Sequence, residues 1–362
     1  MAYIVYLEEA YPPRQARRRS FGGRAGVKPW APRKPVPRRR ESFRSRFGSL
    51  FKPPSHRRSE RRASSNGSSS RAPLPGYELV KKLNTGGMSE AVTLVKKQGK
   101  LYITKRVRAD GNRRQTTMSE LKVLQLIKRS SSNNLNKLHD FQWDPRGLFC
   151  TFVLEYCHSG SLTGKIERYE RARSSVPEEF AWNVLGGIAK ALAFLHEGIG
   201  DPLHEKAAAR WNSTWHLDLK PCNIFLSSHG QRGPYPRVVL GDFGCAVSEK
   251  DIDDGLAHPR RQRCGTEEWY PPEGLESVVG SHVRYGSATD VWQMGATIHV
   301  MCRLLRGPRR SQLDSVSPCG SHYSETLNST VRQCVKNYRI RWTAAEVARQ
   351  VHEVAKKKGY RM

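Results

Sequence analysis

Residues 216–226 read HLDLKPCNIFL and residues 241–244 read GDFG, which puts Asp242 nineteen positions after Asn223. The order of groups is chemically specific. A carboxylate (Asp218), an ammonium two positions on (Lys220), an amide (Asn223) and a second carboxylate (Asp242) follow one another in short order, the kinds of group that phosphoryl transfer from ATP needs.

Working outward, the chain before these motifs is strand-like and the chain after them is helical. GYELVKKL, EAVTLVKK and KLYITKRV are apolar-polar runs separated by short breaks, with Gln98-Gly99-Lys100 as a turn, and predict an antiparallel meander. A helical pattern follows from Met118, with Leu121, Leu124 and Ile127 at three-residue steps and Glu120 on an adjoining face. NKLHDFQW and LFCTFVLEY complete a small sheet. Beyond Ser159-Gly160, Phe180–His196 and Asp290–Leu305 read as buried helices, while residues 197–214 and 306–325 read as surface insertions.

Four ordered segments carry a family resemblance. HLDLKPCNIFL and GDFG closely resemble the catalytic and magnesium loops of eukaryotic protein kinases, and GTEEWYPPE at 265–273 with DVWQMG at 290–295 is similar to that family's substrate-binding segment and central helix. The resemblance implies a bilobal α+β fold, with a small antiparallel sheet lobe at residues 76–156 and a larger helical lobe at 157–362. It also implies ATP and Mg2+ as co-substrate and metal, and protein substrates phosphorylated on serine or threonine. In its terms Asp218 is the catalytic base, Lys220 steadies the γ-phosphate, Asn223 and Asp242 hold magnesium, and Lys105 of YITKRV pairs with Glu120 to orient the α- and β-phosphates. Nucleotide contacts are implied at Asn84, Gly86, Gly87, Ala91, Ile103, Lys105, Glu155, Cys157 and Phe225. Leu124, Leu138, His216 and Phe243 are expected to stack between the lobes, and Glu273 with Arg341 to form a buried ion pair.

Several positions depart from the family pattern. LNTGGMSEAV at 83–92 keeps only Gly86 of the three glycines in register, with Asn84 and Ser89 at the others. Ile103 stands where a small residue is usual, Ala91 where valine is usual, and Phe225 replaces an aliphatic floor; the first two read as a volume exchange that preserves an adenine-shaped slot. Leu217 replaces the arginine of the catalytic triplet. Ser248 is the only hydroxyl side chain between Phe243 and Thr266, so activity is expected without phosphorylation of that segment. Cys222 occupies the place of a glutamate found in kinases preferring basic substrates, and Asp251, Asp253 and Asp254 read as a solvated acidic loop. A pseudokinase scaffold of the same fold is the alternative.

Composition bounds the rest. The 362 residues carry a formal charge of +29, from 62 Lys and Arg against 33 Asp and Glu, and residues 1–72 hold 19 basic and four acidic side chains. Residues 1–75, rich in Arg, Ser and Pro, read as a disordered tail. Its arginine clusters suggest nucleic acid or another polyanion as a partner. The serines after RRR and RRA, Ser20 and Ser64, suggest control by phosphorylation. Eight cysteines without zinc-like spacing, no signal-peptide pattern and no run of roughly 18–20 apolar residues predict a soluble protein of the nucleus or cytoplasm. The oligomeric state is not legible.

Overall fold

The computed structural model describes residues 74–83, 89–111, 113–229, 233–258, 265–275 and 285–361. The reading of the basic tail as disordered and of Asn84, Gly86 and Gly87 as phosphate contacts therefore falls outside the described residues. What is described is a five-stranded antiparallel sheet followed by a helical region, the bilobal α+β arrangement.

Strands β1 (Glu78–Leu83), β2 (Ser89–Lys97), β3 (Lys100–Arg108), β4 (Leu138–Trp143) and β5 (Phe149–Glu155) pair in the order β1-β2-β3-β5-β4. The β2–β3 turn is tight because Gln98 and Gly99 both have positive φ, 49° and 78°, the geometry that matches strand twist in a two-residue hairpin. Cross-strand pairing puts Thr93, Val95, Tyr102, Thr104 and Val153 on the outer face, where Leu74 and Tyr77 cover them. Ile103, Lys105 and Phe152 alternate onto the opposite face, toward helix α1 (Arg113–Arg129) and the helical lobe.

That lobe comprises α2 (Leu162–Arg171), α3 (Glu178–Glu197), α4 (Glu249–Asp253), α5 (Ser287–Cys302), α6 (Arg310–Leu313), α7 (Glu325–Val335) and α8 (Ala344–Lys358). Short pairs β6 (Thr214–Trp215) with β9 (Val247–Ser248) and β7 (Ile224–Ser227) with β8 (Arg237–Leu240) hold the motif loops. Helices α3 and α5 are buried on nearly every face, and α7 and α8 pack against them. Gly198 ends α3 with φ 70°, and a Cβ there would meet the Trp211 ring at 2.6 Å, so glycine is required both by conformation and by space.

The two expected surface insertions are only partly so. Trp211 donates its Nε1 hydrogen to Leu195 O at 3.0 Å and packs edge-on against Phe194, which docks residues 197–214 on the end of α3. Within 306–325, Leu313, Cys319 and Tyr323 are buried, and Tyr323 Oη donates to Val176 O. Small, polar sequence between these anchors hid them. Cys150, Cys157, Cys222, Cys302, Cys319 and Cys334 are free thiols, whereas Cys245 is disulfide-bonded.

Glu178 ties the start of α3 to α7 and α8. It accepts from Trp182 Nε1, Ser324 N, Ser324 Oγ and Lys358 Nζ at 3.1, 2.8, 2.6 and 3.2 Å. Burial pushes its carboxyl up, but the hydrogen bonds from Ser324 outweigh this and hold it below the usual glutamate value. A depressed value means stability that is present above the unfolded pKa and lost as pH falls through the folded one. Glu178→Gln is thus expected to cost about 1–3 kcal/mol near neutral pH. Urea midpoints should show this gap closing in acid, below the ordinary carboxylate range of about 4.3.

Candidate active site

Lys105 sits on β3 and Glu120 on α1, and their side chains meet at 2.6 Å; Lys105 Nζ also reaches Asp242 Oδ1 at 2.7 Å. Burial alone would lower the Lys105 ammonium, but Glu120 and Asp242 outweigh it and hold it above the usual lysine value. Asp242 is pushed up by burial and drawn down further by Lys105, which leaves it below the usual range. Its side chain is nevertheless 43% exposed. One ammonium therefore connects sheet, helix and the loop after β8, while the Asp242 carboxylate still faces open space.

The second cluster lies on the loop between β6 and β7. Asp218 Oδ1 accepts from Thr266 Oγ1 at 2.9 Å, and Lys220 Nζ lies 3.1 and 2.9 Å from the two Asp218 oxygens and also contacts Thr266 Oγ1. Asn223 Nδ2 donates to Asp218 O and Oδ2 at 2.8 and 3.2 Å, which turns the Asn223 amide oxygen away from Asp218. Thr266, a substrate-segment residue in sequence terms, is here a direct partner of the carboxylate.

This loop is held from behind. Asp290 of α5, fully buried, accepts from the amides of His216 and Leu217 at 2.8 Å each and from His196 Nε2 at 2.8 Å. Leu217 and Asp242 both have φ 63°, a left-handed conformation that costs a non-glycine residue of order 1–3 kcal/mol and persists where surroundings impose it. For Leu217 the imposing group is Asp290. The sequence marked Asp290 only as a helix start, although its place in DVWQMG was the available signal.

Of the expected stack between lobes, Leu124, Leu138, His216 and Phe243 are all buried, the first two and Phe243 in one core, and His216 meets Phe243 edge-on at 5.3 Å. His216 Nε2 additionally faces Gly241 O at 3.0 Å.

The residues expected to contact the base come from β3, the end of β5 and β7. Leu154 pairs with Ile103 across the strands, and the Cys157 N–H finds no acceptor among the described residues. Burial pushes the Cys157 thiol up to about 12, and its sulfur lies 4.0 Å from Asn136 Nδ2. Glu155 directs its carboxylate to Arg237, while its carbonyl accepts from Asn136 Nδ2 at 3.3 Å. Phe225 pairs with Val239 on the floor, and Gly241 makes room for its ring, since a Cβ there would lie 2.8 Å from Phe225 Cε2.

The strand register corrects the expected role of Ala91. Val92 pairs with Lys105 and Leu94 with Ile103, whereas Ala91 pairs with Arg106. Because side chains alternate between faces, Ala91 lies on the outer face and Val92 on the slot face. The pairing runs unbroken from Lys97 with Lys100 at the Gln98-Gly99 turn to Ala91 with Arg106, so the turn sets the face of Ala91, and the irregularity lies beyond it, between Ser89 and Ala91. The expected exchange of volume between Ala91 and Ile103 does not occur.

A second correction concerns Asp251, read as part of a solvated loop. It is buried and forms a capping box with Ser248 at the start of α4, both bonds at 3.2 Å. The tetrapeptide SEKD at 248–251 carried that signal. Asp253 and Asp254 remain at the exposed end of α4, with Asp254 3.1 Å from Lys250.

The chain belongs to the protein kinase domain family, whose pattern matches residues 77–350. It is 30% identical over 242 residues to the serine/threonine-protein kinase Nek1 of Toxoplasma gondii, covering 64% of this chain and 14% of that protein. It is 25% identical over 269 residues to the probable serine/threonine-protein kinase nek2 of Dictyostelium discoideum, covering 70% and 57%, and 28% identical over 230 residues to the serine/threonine-protein kinase ULK3 of Xenopus laevis, covering 62% and 42%. In each comparison the chain spans less than two thirds of the relative's length.

Protein kinases of this family use ATP and Mg2+. The residues present fit both. Asn223 and Asp242 offer hard oxygen donors of the kind that Mg2+ takes alongside phosphate oxygens.

Glu273 and Arg341 form the expected pair: Arg341 Nη1 and Nη2 donate to the Glu273 carboxylate at 2.6 and 3.2 Å, and Nη1 also donates to Ala288 O at 2.6 Å. The Arg341 side chain is 1% exposed. Arg341→Met should therefore lower unfolding free energy by about 3–5 kcal/mol through the stranded Glu273 charge, with part recovered by adding Glu273→Leu. Chemical denaturation of the two variants checks both steps.

Proposed function

We propose that this chain is an ATP-dependent protein serine/threonine kinase, and the observation that carries the reading is the joining of Lys105, Glu120 and Asp242 in one ion-pair set beside the Asp218–Lys220–Thr266 cluster. In this reading Asp218 orients the substrate hydroxyl and accepts its proton, and Lys220 neutralises charge on the transferred phosphoryl group. Lys105, aligned by Glu120, holds the nucleotide phosphates. Asn223 and Asp242 hold Mg2+, which when bound supplies charge neutralisation to the phosphates. Phosphoryl transfer demands little covalent work from the protein, so the residues contribute chiefly by positioning and electrostatics.

Val92, Ile103, Leu154 and Phe225 form the walls of the nucleotide slot, with the Cys157 N–H and Glu155 carbonyl at its edge. The named relatives are kinases, and every charged group that transfer requires is assembled, which favours catalysis over a pseudokinase scaffold. The finer expectations, a polyanion partner for the tail and a place in the nucleus or cytoplasm, stay part of this proposal. Among the described residues, no helix is long and apolar enough to cross a membrane.

Activity without phosphorylation of the segment after Asp242 also belongs here. Leu217 is fully buried with Val247 and Ala257, and Trp215, Ile252 and Tyr285 pack around them. Leu256 and Ala257 donate their amides to Asp251 O at 2.8 and 2.9 Å, and Ser248, buried, is occupied with its cap. An apolar cluster does here what an arginine-phosphate pair would otherwise do.

Asp218→Asn is expected to lower transfer to a generic protein substrate by about 10² to 10⁴ while leaving ATP affinity unchanged. Equal rates in radiolabelled-ATP assays would defeat the kinase assignment. A separate consequence follows from the slot's walls: with Val92 and Ile103 on the same face, Ile103→Ala should relieve crowding worth about 1–3 kcal/mol and tighten ATP binding. Calorimetric titration showing weaker binding in the variant would mean that Ile103 packs against the base rather than obstructing it.

A further inference from the structure

Gln293 lies one helical turn after Asp290 on α5, so both side chains face the same way, and it is fully buried. Its Oε1 accepts from Leu219 N at 3.0 Å, and its Nε2 donates to Leu217 O at 3.4 Å and Trp269 O at 3.2 Å. These three bonds fix the amide's orientation, because the flipped form would set an oxygen against two carbonyls and a donor against an N–H. Leu217 and Leu219 flank Asp218. Trp269 belongs to the turn Glu267–Trp269 that begins just after Thr266, itself bonded to Asp218.

From this arrangement we infer that Gln293 is a positioning residue for phosphoryl transfer, gripping the backbone on both sides of Asp218 and locking it in register with the Thr266–Trp269 segment where a protein substrate presents its hydroxyl. The inference rests on the kinase reading of the site. Asp290 cannot substitute for it, because the Asp290 oxygens take the amides of His216 and Leu217 and the His196 ring and touch neither Leu219 nor Trp269. Only a side chain with an acceptor and two donors at one end, long enough to span from α5, satisfies all three groups. A carboxylate of the same length keeps the bond to Leu219 N but faces two carbonyls without a donor. A protonated carboxyl regains one.

Gln293 touches no reacting atom, so its loss should act through the placement of Asp218. A displacement of about 1 Å can cost on the order of 10²-fold in rate. The nucleotide phosphates and metal are assigned to Lys105, Asn223 and Asp242, none of which Gln293 contacts, so ATP affinity should stay within about twofold.

The test uses the full chain with Mg2+, ATP and a generic protein substrate, comparing native protein with Gln293→Met, which keeps the volume, and Gln293→Glu, which keeps the length. The Met variant is expected to bind ATP normally by calorimetry, with kcat lower by about 10²-fold and KM for ATP nearly unchanged. The Glu variant's rate relative to native protein should rise as pH is lowered from about 8 to about 6, because protonation of a buried carboxyl restores a donor. If the Met variant does not fold, the pH profile of the Glu variant decides by itself. A folded, ATP-binding Met variant with native kcat, or a Glu variant whose relative rate is flat with pH, overturns the role of Gln293 while leaving the kinase reading intact. A native protein that transfers no phosphate removes both.

Discussion

The fully buried carboxylate of Asp290 is the constraint from which the rest of the site is built. A charge with no exposure is tolerable only when its oxygens are saturated, and here two backbone amides and a histidine ring saturate them. Because two of those donors belong to His216 and Leu217, satisfying Asp290 forces the loop against α5 and holds Leu217 in its left-handed conformation. Asp218 then projects toward Lys220 and Thr266, and His216 is left to meet Phe243, which carries the stack on toward the sheet. The central helix thus acts as the reference frame, and the sheet lobe is joined to it through packing and through the Lys105–Glu120–Asp242 contacts.

How much of this could be read beforehand follows from where the physics is local. The five strands and the two buried helices came from periodicity, and HLDLKPCNIFL with GDFG located the charged groups because their spacing is short and their chemistry unusual. Helix ends were less legible: α1 begins at Arg113 rather than at Met118, since its first turn is polar and carries no apolar stripe. Ala91 illustrates a different limit. A strand has a period of two, so the face of Ala91 is set by counting back from the Gln98-Gly99 turn through the pairing with β3, which a motif matched from the glycine side does not do. Gln293 was missed for the opposite reason. A lone glutamine in an apolar helix has no motif, and its importance exists only once Leu217, Leu219 and Trp269 surround it.

The corrected face assignment changes the picture of the nucleotide slot. With Val92 in place of Ala91, no neighbour has shrunk to accommodate Ile103, and Phe225 adds bulk from the floor. The side chains proposed to wall the slot, Val92, Ile103, Leu154 and Phe225, are all apolar, the chemistry that suits a flat base. Arg237 takes the Glu155 carboxylate and the Asn133 carbonyl, so the strand end is held to the β7–β8 hairpin that carries the floor.

The described part of the segment after Asp242, through His258, shows what a leucine at position 217 does for packing. An arginine at position 217 would be buried among Val247, Ala257 and Trp215 and would need an anion to offset its desolvation, which couples order in the segment to an acquired phosphate. Leucine removes that requirement. Apolar burial contributes on the order of 1.5–3 kcal/mol for a leucine side chain and needs no modification to take effect. The cap at Ser248 and Asp251 acts in the same direction, because it fixes the first turn of α4 and places Asp251 O to receive two further amides. The described part of the segment, through His258, is thus held by packing and capping within the chain.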